Sequence, residues 1–349
     1  VRPLSEGAFG RPHQYVDRES GRVVTERLFA DRWVRRIYCE ARENAPRLFA
    51  ALVSPRMSQL LGFLHFDASV GARLAGVERL ARRLGIDTSE CLEPASRLST
   101  PKRLFERKIR YPECRPMPDA PGAVVSPADA RMLVAALSPG ALVPVKGKFF
   151  DLRELVGVGR GEWFGVFRDG DVAVFRLTPD KYHYNHTPVA GRVLDVYGIE
   201  GDCHSCNPAA VVSVATPYSK NRRFVTVIDT DTGEGTGVGR VAMVEVAALM
   251  IGGIRQCYSE EGYERPRPVT PGMFLRKGRP KSVFLPGSSV VVLLFEKGRV
   301  RFDGDILANL RHPTARSRFS MGFGPGLVET DVRVRSRVAV ATGGARGNR

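Results

Sequence analysis

Phe284-Leu-Pro-Gly287-Ser288-Ser289-Val-Val-Val-Leu-Leu-Phe295 sets a turn of small residues directly against an apolar, β-branched run. The run is too short for a helix of ordinary length and reads as a core strand entered through a Gly-Ser-Ser turn. Similar Val-rich or alternating runs occur at Asp171 to Arg176, Ala209 to Ala215 and Phe224 to Asp229. They are separated by Pro139-Gly140, Asp169-Gly170, Pro271-Gly272 and Asp303-Gly304 turns. From about Gly122 onward, the chain therefore reads as β-rich. The turn at 287–289 has a second reading besides punctuation. Small neighbours let the backbone strain, and a serine hydroxyl there can attack the carbonyl that precedes it.

Toward the N-terminus the texture changes. From Val24 to Gly85 the apolar residues recur at three- and four-residue steps (Leu28, Trp33, Ile37; Leu48, Leu52, Met57, Leu60, Leu61, Leu64) with Arg on the opposite faces, as amphipathic helices require. Pro112, Pro116, Pro118 and Pro121 mark a boundary. The expectation is an α+β fold: a helical, basic N-terminal region over 1–110, a Pro-rich boundary at 111–122, a mainly antiparallel β core over 123–338 and a disordered basic tail at 339–349.

The 349 residues, 43% hydrophobic and 26% charged, suffice for one large core or two modest ones and exclude a disordered or fibrous chain. Against 37 Asp+Glu stand 53 Lys+Arg, a net +16 that points to a polyanionic partner, either nucleic acid or an anionic membrane surface. The Arg residues are spread rather than striped, with no zinc finger or RNA-binding aromatic signature, which argues against nucleic acid. Part of the charge lies in the tail, where eight Arg between Arg311 and Arg349 face Glu329 and Asp331. The apolar stretches Val241 to Ile254 and Val283 to Phe295 fall short of the roughly 20 residues of a spanning helix. Val1 to Gly10 has no apolar signal region. A peripheral position on the cytoplasmic face of a membrane is the expectation. Cys39, Cys91, Cys114, Cys203, Cys206 and Cys257 are too sparse for a disulfide scaffold and read as reduced thiols.

Two further clusters carry chemistry. In Leu177-Thr-Pro-Asp-Lys-Tyr-His183-Tyr-Asn-His186-Thr-Pro-Val-Ala-Gly191, two histidines three residues apart fit a metal pair, a pair of acid/base groups or an incidental turn. Cys203-His-Ser-Cys206 lacks the second Cys pair of a four-Cys zinc site, and a mixed site would need His183 and His186. Turn formers around it favour packed thiols, and no metal is expected. Gly157-Val-Gly-Arg-Gly161 and Gly235-Thr-Gly-Val-Gly239 lack the residues of a phosphate loop and read as turns.

Taken in order, these segments resemble the phosphatidylserine decarboxylase family, collinearly from about Tyr15 to Ala339. The family's "FF.RKLKP..RP" is similar to Leu104-Phe-Glu-Arg107-Lys108 through Arg115-Pro116, and its "SPADG" to Ser126-Pro-Ala-Asp129-Ala130. Its "IKG" resembles Val145-Lys146-Gly147, its "L.P.DYHR.H.P..G" Leu177 to Gly191, and its "VA.V.VGA..VG.I" Val241 to Ile254. Its "KG.E.G.F..GST" resembles Lys277-Gly278 through Gly287-Ser288-Ser289.

The resemblance implies self-cleavage into a large β chain and a small α chain, with a pyruvoyl cofactor made from serine at the new N-terminus. Counting back from Leu294-Phe295 without gaps assigns the processed residue to Ser289, while counting from Phe284 gives Ser288 as the alternative. The family pattern assigns the base that activates this serine to Asp129 with His186, and gives His183 a part in decarboxylation or reprotonation. The pyruvoyl carbonyl would join the substrate amine as a Schiff base and take up the electron pair left by carbon dioxide.

The implied reaction turns phosphatidylserine into phosphatidylethanolamine on an anionic phospholipid membrane. The basic N-terminal region would hold the enzyme at that surface. A homo-oligomer is compatible with the chain. Ala130, Lys181, Tyr184 and Arg279-Pro280-Lys281-Ser282 depart from the family pattern, which leaves two alternatives open. One is a decarboxylase of another amino-acid-type substrate; the other is a non-catalytic relative that binds membranes or nucleic acid.

Overall fold

The computed structural model describes residues 12–28, 31–54, 57, 77–137, 148–248, 253–287, 289–320 and 327–343. Ser288, the Lys146-Gly147 pair, most of the 55–76 helical pattern and the last six residues of the expected tail lie outside the described residues.

A ten-stranded sheet organises the fold. Its spatial order is Phe274–Leu275, Gly191–Ile199, Arg223–Asp229, Arg240–Ala247, Ser289–Phe295, Asp171–Leu177, Ala130–Ala136, Glu329–Val332, Gln14–Asp17 and Val23–Thr25. All neighbours are antiparallel except Gln14–Asp17, which runs parallel to Glu329–Val332. The strand Ser289–Phe295 lies in the middle with every residue buried. Its lack of a polar alternation is explained by that position, since a central strand covered on both faces has no side to give to water. Burying each of its Val, Leu and Phe side chains contributes about 1.5–3 kcal/mol, which makes this strand a major source of the core's stability.

Two three-stranded sheets complete the β structure. One joins Ile254–Gln256, Pro280–Phe284 and Tyr184–His186, and the other Val300–Phe302, Arg337–Ala341 and Ala123–Val125. The second sheet takes residues 339–341, read from sequence as disordered tail, into a paired strand. Val338 and Ala339 are buried there, so their apolar character was a strand signal.

Among the described residues before the core, the helices begin at Asp31. Ahead of them, the alternating Gln14–Asp17 and the β-branched Val23–Thr25 extend the main sheet, so the N-terminal region is not helical throughout. Val34, Tyr38 and Val53 of the N-terminal helices pack on Ala209 and Ala210. The Tyr38 hydroxyl accepts the Ser205 N–H at 2.6 Å, which ties this layer to the core.

The run Ala209 to Ala215, read from sequence as a strand, is a helix over Pro208–Ser213. Asn207 caps it by accepting the Ala209 N–H at 2.8 Å, and Pro208 occupies its first turn. An Asn cap with Pro behind it outweighs the β preference of two valines.

Candidate functional site

The backbone lays the histidine segment along the serine turn. Ser289 opens the central strand opposite Leu177 on one side and Ala247 on the other. Farther along, the His183 carbonyl accepts the Phe284 N–H at 3.1 Å, and Tyr184–His186 pairs with Pro280–Phe284. The described residues of 177–186 and 280–289 thus run antiparallel, with Ser289 beside the start of the motif. Gly287 has φ +147°, a conformation that side-chain-bearing residues rarely adopt. Ser289 is fully buried, and its Oγ has no hydrogen-bond partner among the described residues. A buried hydroxyl left unpaired costs about 1–3 kcal/mol, so its persistence points to a use.

His183 is buried with its ring 3.6 Å, centroid to centroid, from that of Phe105. Its Nδ1 lies 2.7 Å from the Lys181 carbonyl, which can only accept, so Nδ1 carries the proton and Nε2 the lone pair. That Nε2 is buried and unpartnered among the described residues. Burial, reinforced by the charge of Arg107, holds the imidazole well below its ordinary pKa.

His186, equally buried, is saturated instead. Its Nδ1–H donates to the Gly278 carbonyl at 2.9 Å, and its Nε2 receives the Tyr182 hydroxyl at 3.0 Å. The Tyr182 oxygen lies 2.6 Å from the Tyr263 hydroxyl, extending the chain of hydrogen bonds. Burial pushes the pKa of His186 down to about 3. Gly278 presents its carbonyl from φ +74°, where a Cβ would stand 2.3 Å from Met117 Sδ.

Asp129 is buried and accepts from Arg115 at 3.0 and 2.8 Å and from the Val334 N–H at 2.7 Å. Arg115 also grips Glu90 at 2.8 and 2.9 Å. Burial works to raise the Asp129 carboxyl, but the adjacent guanidinium overrides it and keeps the group below the usual carboxylate range. The expected line from Asp129 through His186 to Ser289 is not hydrogen-bonded: Asp129 is held by Arg115, and His186 by Gly278 and Tyr182. Asp129 acts on both imidazoles through its charge, which raises the proton affinity of each.

Two departures from the family pattern acquire partners. Lys181 donates to Asp331 at 2.8 and 3.0 Å. Lys281, fully buried, meets the buried Glu245 at 2.7 Å, with Gln256, Ser282 and Asn185 completing the network around that carboxylate. Glu245 lies opposite Val291, two positions along the strand pair from Ala247 and Ser289, so its side chain shares a sheet face with the serine. Sequence reading missed this network because its members are far apart in the chain. A lone Glu inside the apolar run Val241 to Ala248 was the available signal. Arg335, counted from sequence among the tail charges, lies 4.8 Å over the Tyr111 ring, and the Tyr111 ring in turn contacts His186 edge-on at 4.8 Å.

Cys203 and Cys206 are buried at the start of the Pro208–Ser213 helix, and burial pushes the Cys206 thiol up to about 12, too high for a reactive thiolate. The structure does not gather them with His183 and His186. His13, Glu26 and Glu329 bring ligand-type atoms within 4.8 Å of one another. The Arg176 guanidinium already holds both carboxylates, at 2.5 and 2.6 Å, and supplies the positive charge there.

A self-derived carbonyl group at residue 289 fits these surroundings. The Ser289 hydroxyl and His183 Nε2 have no partners among the described residues, and Gly287 holds a positive φ.

The family model described as phosphatidylserine decarboxylase matches residues 102–319. A phosphatidylserine decarboxylase proenzyme of Brevibacillus brevis is 30% identical over 280 residues, covering 75% of this chain and 96% of that protein. The like-named protein of Chlamydia trachomatis serovar L2 is 28% identical over 294 residues, covering 84% and 90%. That of Bordetella petrii is 31% identical over 240 residues, covering 65% and 79%.

Proposed function

The chain belongs to the phosphatidylserine decarboxylase family, and on that premise we propose that it cleaves itself before Ser289, carries a pyruvoyl group there and converts phosphatidylserine to phosphatidylethanolamine and carbon dioxide. The observation that carries this reading is that Ser289 Oγ and His183 Nε2, on two segments that pair antiparallel, are buried and without partners among the described residues.

Cleavage begins when a base takes the Ser289 hydroxyl proton. Oγ bonds to the carbonyl carbon of residue 288, the peptide C–N bond breaks, and the proton passes to the Ser289 nitrogen. Loss of the Ser289 α-proton then expels the ester oxygen from Cβ, freeing the upstream chain as a carboxylate. Water adds to the remaining dehydroalanine and ammonia leaves.

His186 is the base in this reading, through the lone pair of Nε2, since Nδ1–H is committed to Gly278. To act, it must exchange the Tyr182 hydroxyl for that of Ser289. The charge of Asp129 favours the protonated imidazole this step requires. In turnover the pyruvoyl carbonyl supplies an electron sink. His183 is then the group that delivers a proton to the carbon that has lost carbon dioxide, with Phe105 and the Lys181 carbonyl fixing its ring.

Anionic lipid is the proposed surface. No described helix is long and apolar enough to cross a membrane. Trp33, 67% exposed, and Leu48, 55% exposed, project from the Arg-rich N-terminal helices. That combination suits a helix lying in the headgroup layer.

Expression followed by a denaturing gel and a carbonyl-reactive probe tests the proposal. Two fragments, the smaller one labelled, together with ethanolamine-lipid formation on phosphatidylserine vesicles, are expected. A single unlabelled chain without decarboxylation would overturn it, and a labelled, cleaved chain inactive on phosphatidylserine would redirect the substrate to another amino acid.

A further inference from the structure

Arg107 differs from the carboxylate-paired cations of the site. Arg115 has Asp129 and Glu90, Lys181 has Asp331, and Lys281 has Glu245. Arg107 is 6% exposed, yet among the described residues its guanidinium donates only to the backbone carbonyls of Leu104, at 3.1 Å, and Asp180, at 2.8 Å. No carboxylate lies within ion-pair distance of it among the described residues. A buried cation without a counter-ion is expensive to maintain, so its charge has a purpose that the folded chain alone does not supply.

Its surroundings are short of partners in the complementary sense. Arg107 is anchored on the Asp180 carbonyl and His183 on that of Lys181, the next residue of the same turn. Thr178 opens that turn by accepting the Lys181 N–H on its carbonyl, and its Oγ1 is buried without a partner among the described residues. Thr178 directly follows Leu177, the residue opposite Ser289. A guanidinium without a carboxylate, and a hydroxyl and an imidazole nitrogen without partners among the described residues, are therefore gathered along the segment 178–183, which leads away from the start of the central strand.

We infer that Arg107 and Thr178 form the subsite for the phosphodiester of the substrate headgroup. This rests on the function proposed above. The substrate has two anions, and the reaction distinguishes them. The carboxylate loses its charge as carbon dioxide departs, so a guanidinium held on it would favour the ground state over the transition state and slow the step. The phosphodiester keeps its charge throughout, and an arginine on it anchors the substrate equally at every stage. Fixed geometry and multiple N–H donors suit arginine to that group. Thr178 adds a hydroxyl donor to a phosphodiester oxygen, leaving His183 Nε2 for the reacting carbon.

The test compares Arg107→Gln with the unaltered, self-cleaved enzyme, using phosphatidylserine in mixed micelles as substrate and glycerophosphoethanolamine as inhibitor. The inhibitor has the phosphodiester and amine but no carboxylate. The expected result is a rise of about tenfold or more in both KM and the inhibition constant, with a much smaller change in kcat. Arg107→Lys should recover part of the loss. An unchanged inhibition constant with an altered kcat would assign Arg107 to the carboxylate and overturn the inference.

Self-cleavage of the variant checks its folding. Should Arg107→Gln fail to cleave, Thr178→Val carries the same comparison, with a weakened inhibition constant expected and an unchanged one contradicting the subsite. Failure of the unaltered chain to cleave or decarboxylate would instead strike the proposed function itself.

Discussion

His183 and His186 lie three residues apart in one buried segment, yet their surroundings are opposites. Around His186 every valence is filled, by Gly278 on one nitrogen and the Tyr182–Tyr263 pair on the other. Around His183 one nitrogen is without a partner among the described residues, the neighbouring Arg107 lacks a carboxylate, and Thr178 holds an unpaired hydroxyl. A saturated region needs nothing from outside and can prepare the chain's own chemistry. An unsaturated one awaits atoms that the chain does not contain. The proposed division between self-processing and turnover rests on this contrast, and each half is separately breakable.

Removing His186 should have the largest effect on processing. His186→Ala is expected to slow self-cleavage about 10²–10⁴-fold, followed on a denaturing gel. His183→Ala should cleave and then lose decarboxylation by a similar factor, and the opposite pattern would exchange the two roles.

Lys281→Met leaves Glu245 buried without its cation and should destabilise the fold by about 3–5 kcal/mol in chemical denaturation. Adding Glu245→Leu should restore much of that. No recovery would mean that the pair does more than neutralise itself beside the strand bearing Ser289.

Acid offers a smaller, graded test. Both imidazoles are neutral in the fold with pKa values below the ordinary 6.5, so the unfolded chain binds more protons once the pH falls below about 6.5. Their stabilising contribution is therefore complete above that pH and declines as the pH falls toward the folded values. The slope is on the order of 1.4 kcal/mol per pH unit for each group. Denaturation midpoints at about pH 7 and about pH 5 should differ accordingly, and His186→Ala should reduce the difference. Equal midpoints would contradict neutral burial. Asp129 acts in the same direction but only at lower pH, because its carboxyl already lies below the usual carboxylate range. Smallest is Tyr182→Phe, which removes one hydrogen bond to His186 and should cost about 1 kcal/mol of stability. If His186 must leave Tyr182 to reach Ser289, this variant should cleave at least as fast as the unaltered chain.

The β core was legible because its signal is local: the uninterrupted run after Ser289 could scarcely be anything but a covered strand. The histidine and serine segments were legible as motifs, and their antiparallel alignment follows from the sheet. Two misreadings had local causes as well. Val211 and Val212 suggested a strand where Asn207 and Pro208 start a helix, and the short alternation at Gln14–Asp17 was overshadowed by the helical pattern after it. The electrostatics were not legible. Which cation meets which carboxylate depends on contacts between distant segments, such as Arg115 with Glu90 and Lys181 with Asp331. Spacing therefore marked Lys181 and Lys281 as departures without revealing that each has an acid of its own.

The central claim is that Ser289 is the residue converted. Intact-mass and N-terminal fragment mass spectrometry of the purified chain tests it directly. The account predicts an upstream fragment ending at Ser288, a downstream fragment whose blocked first residue is a pyruvoyl group followed by Val290, and an uncut Ser289→Ala chain. A pyruvoyl group followed by Ser289, which would move the conversion to Ser288, or an intact chain with no carbonyl would contradict it.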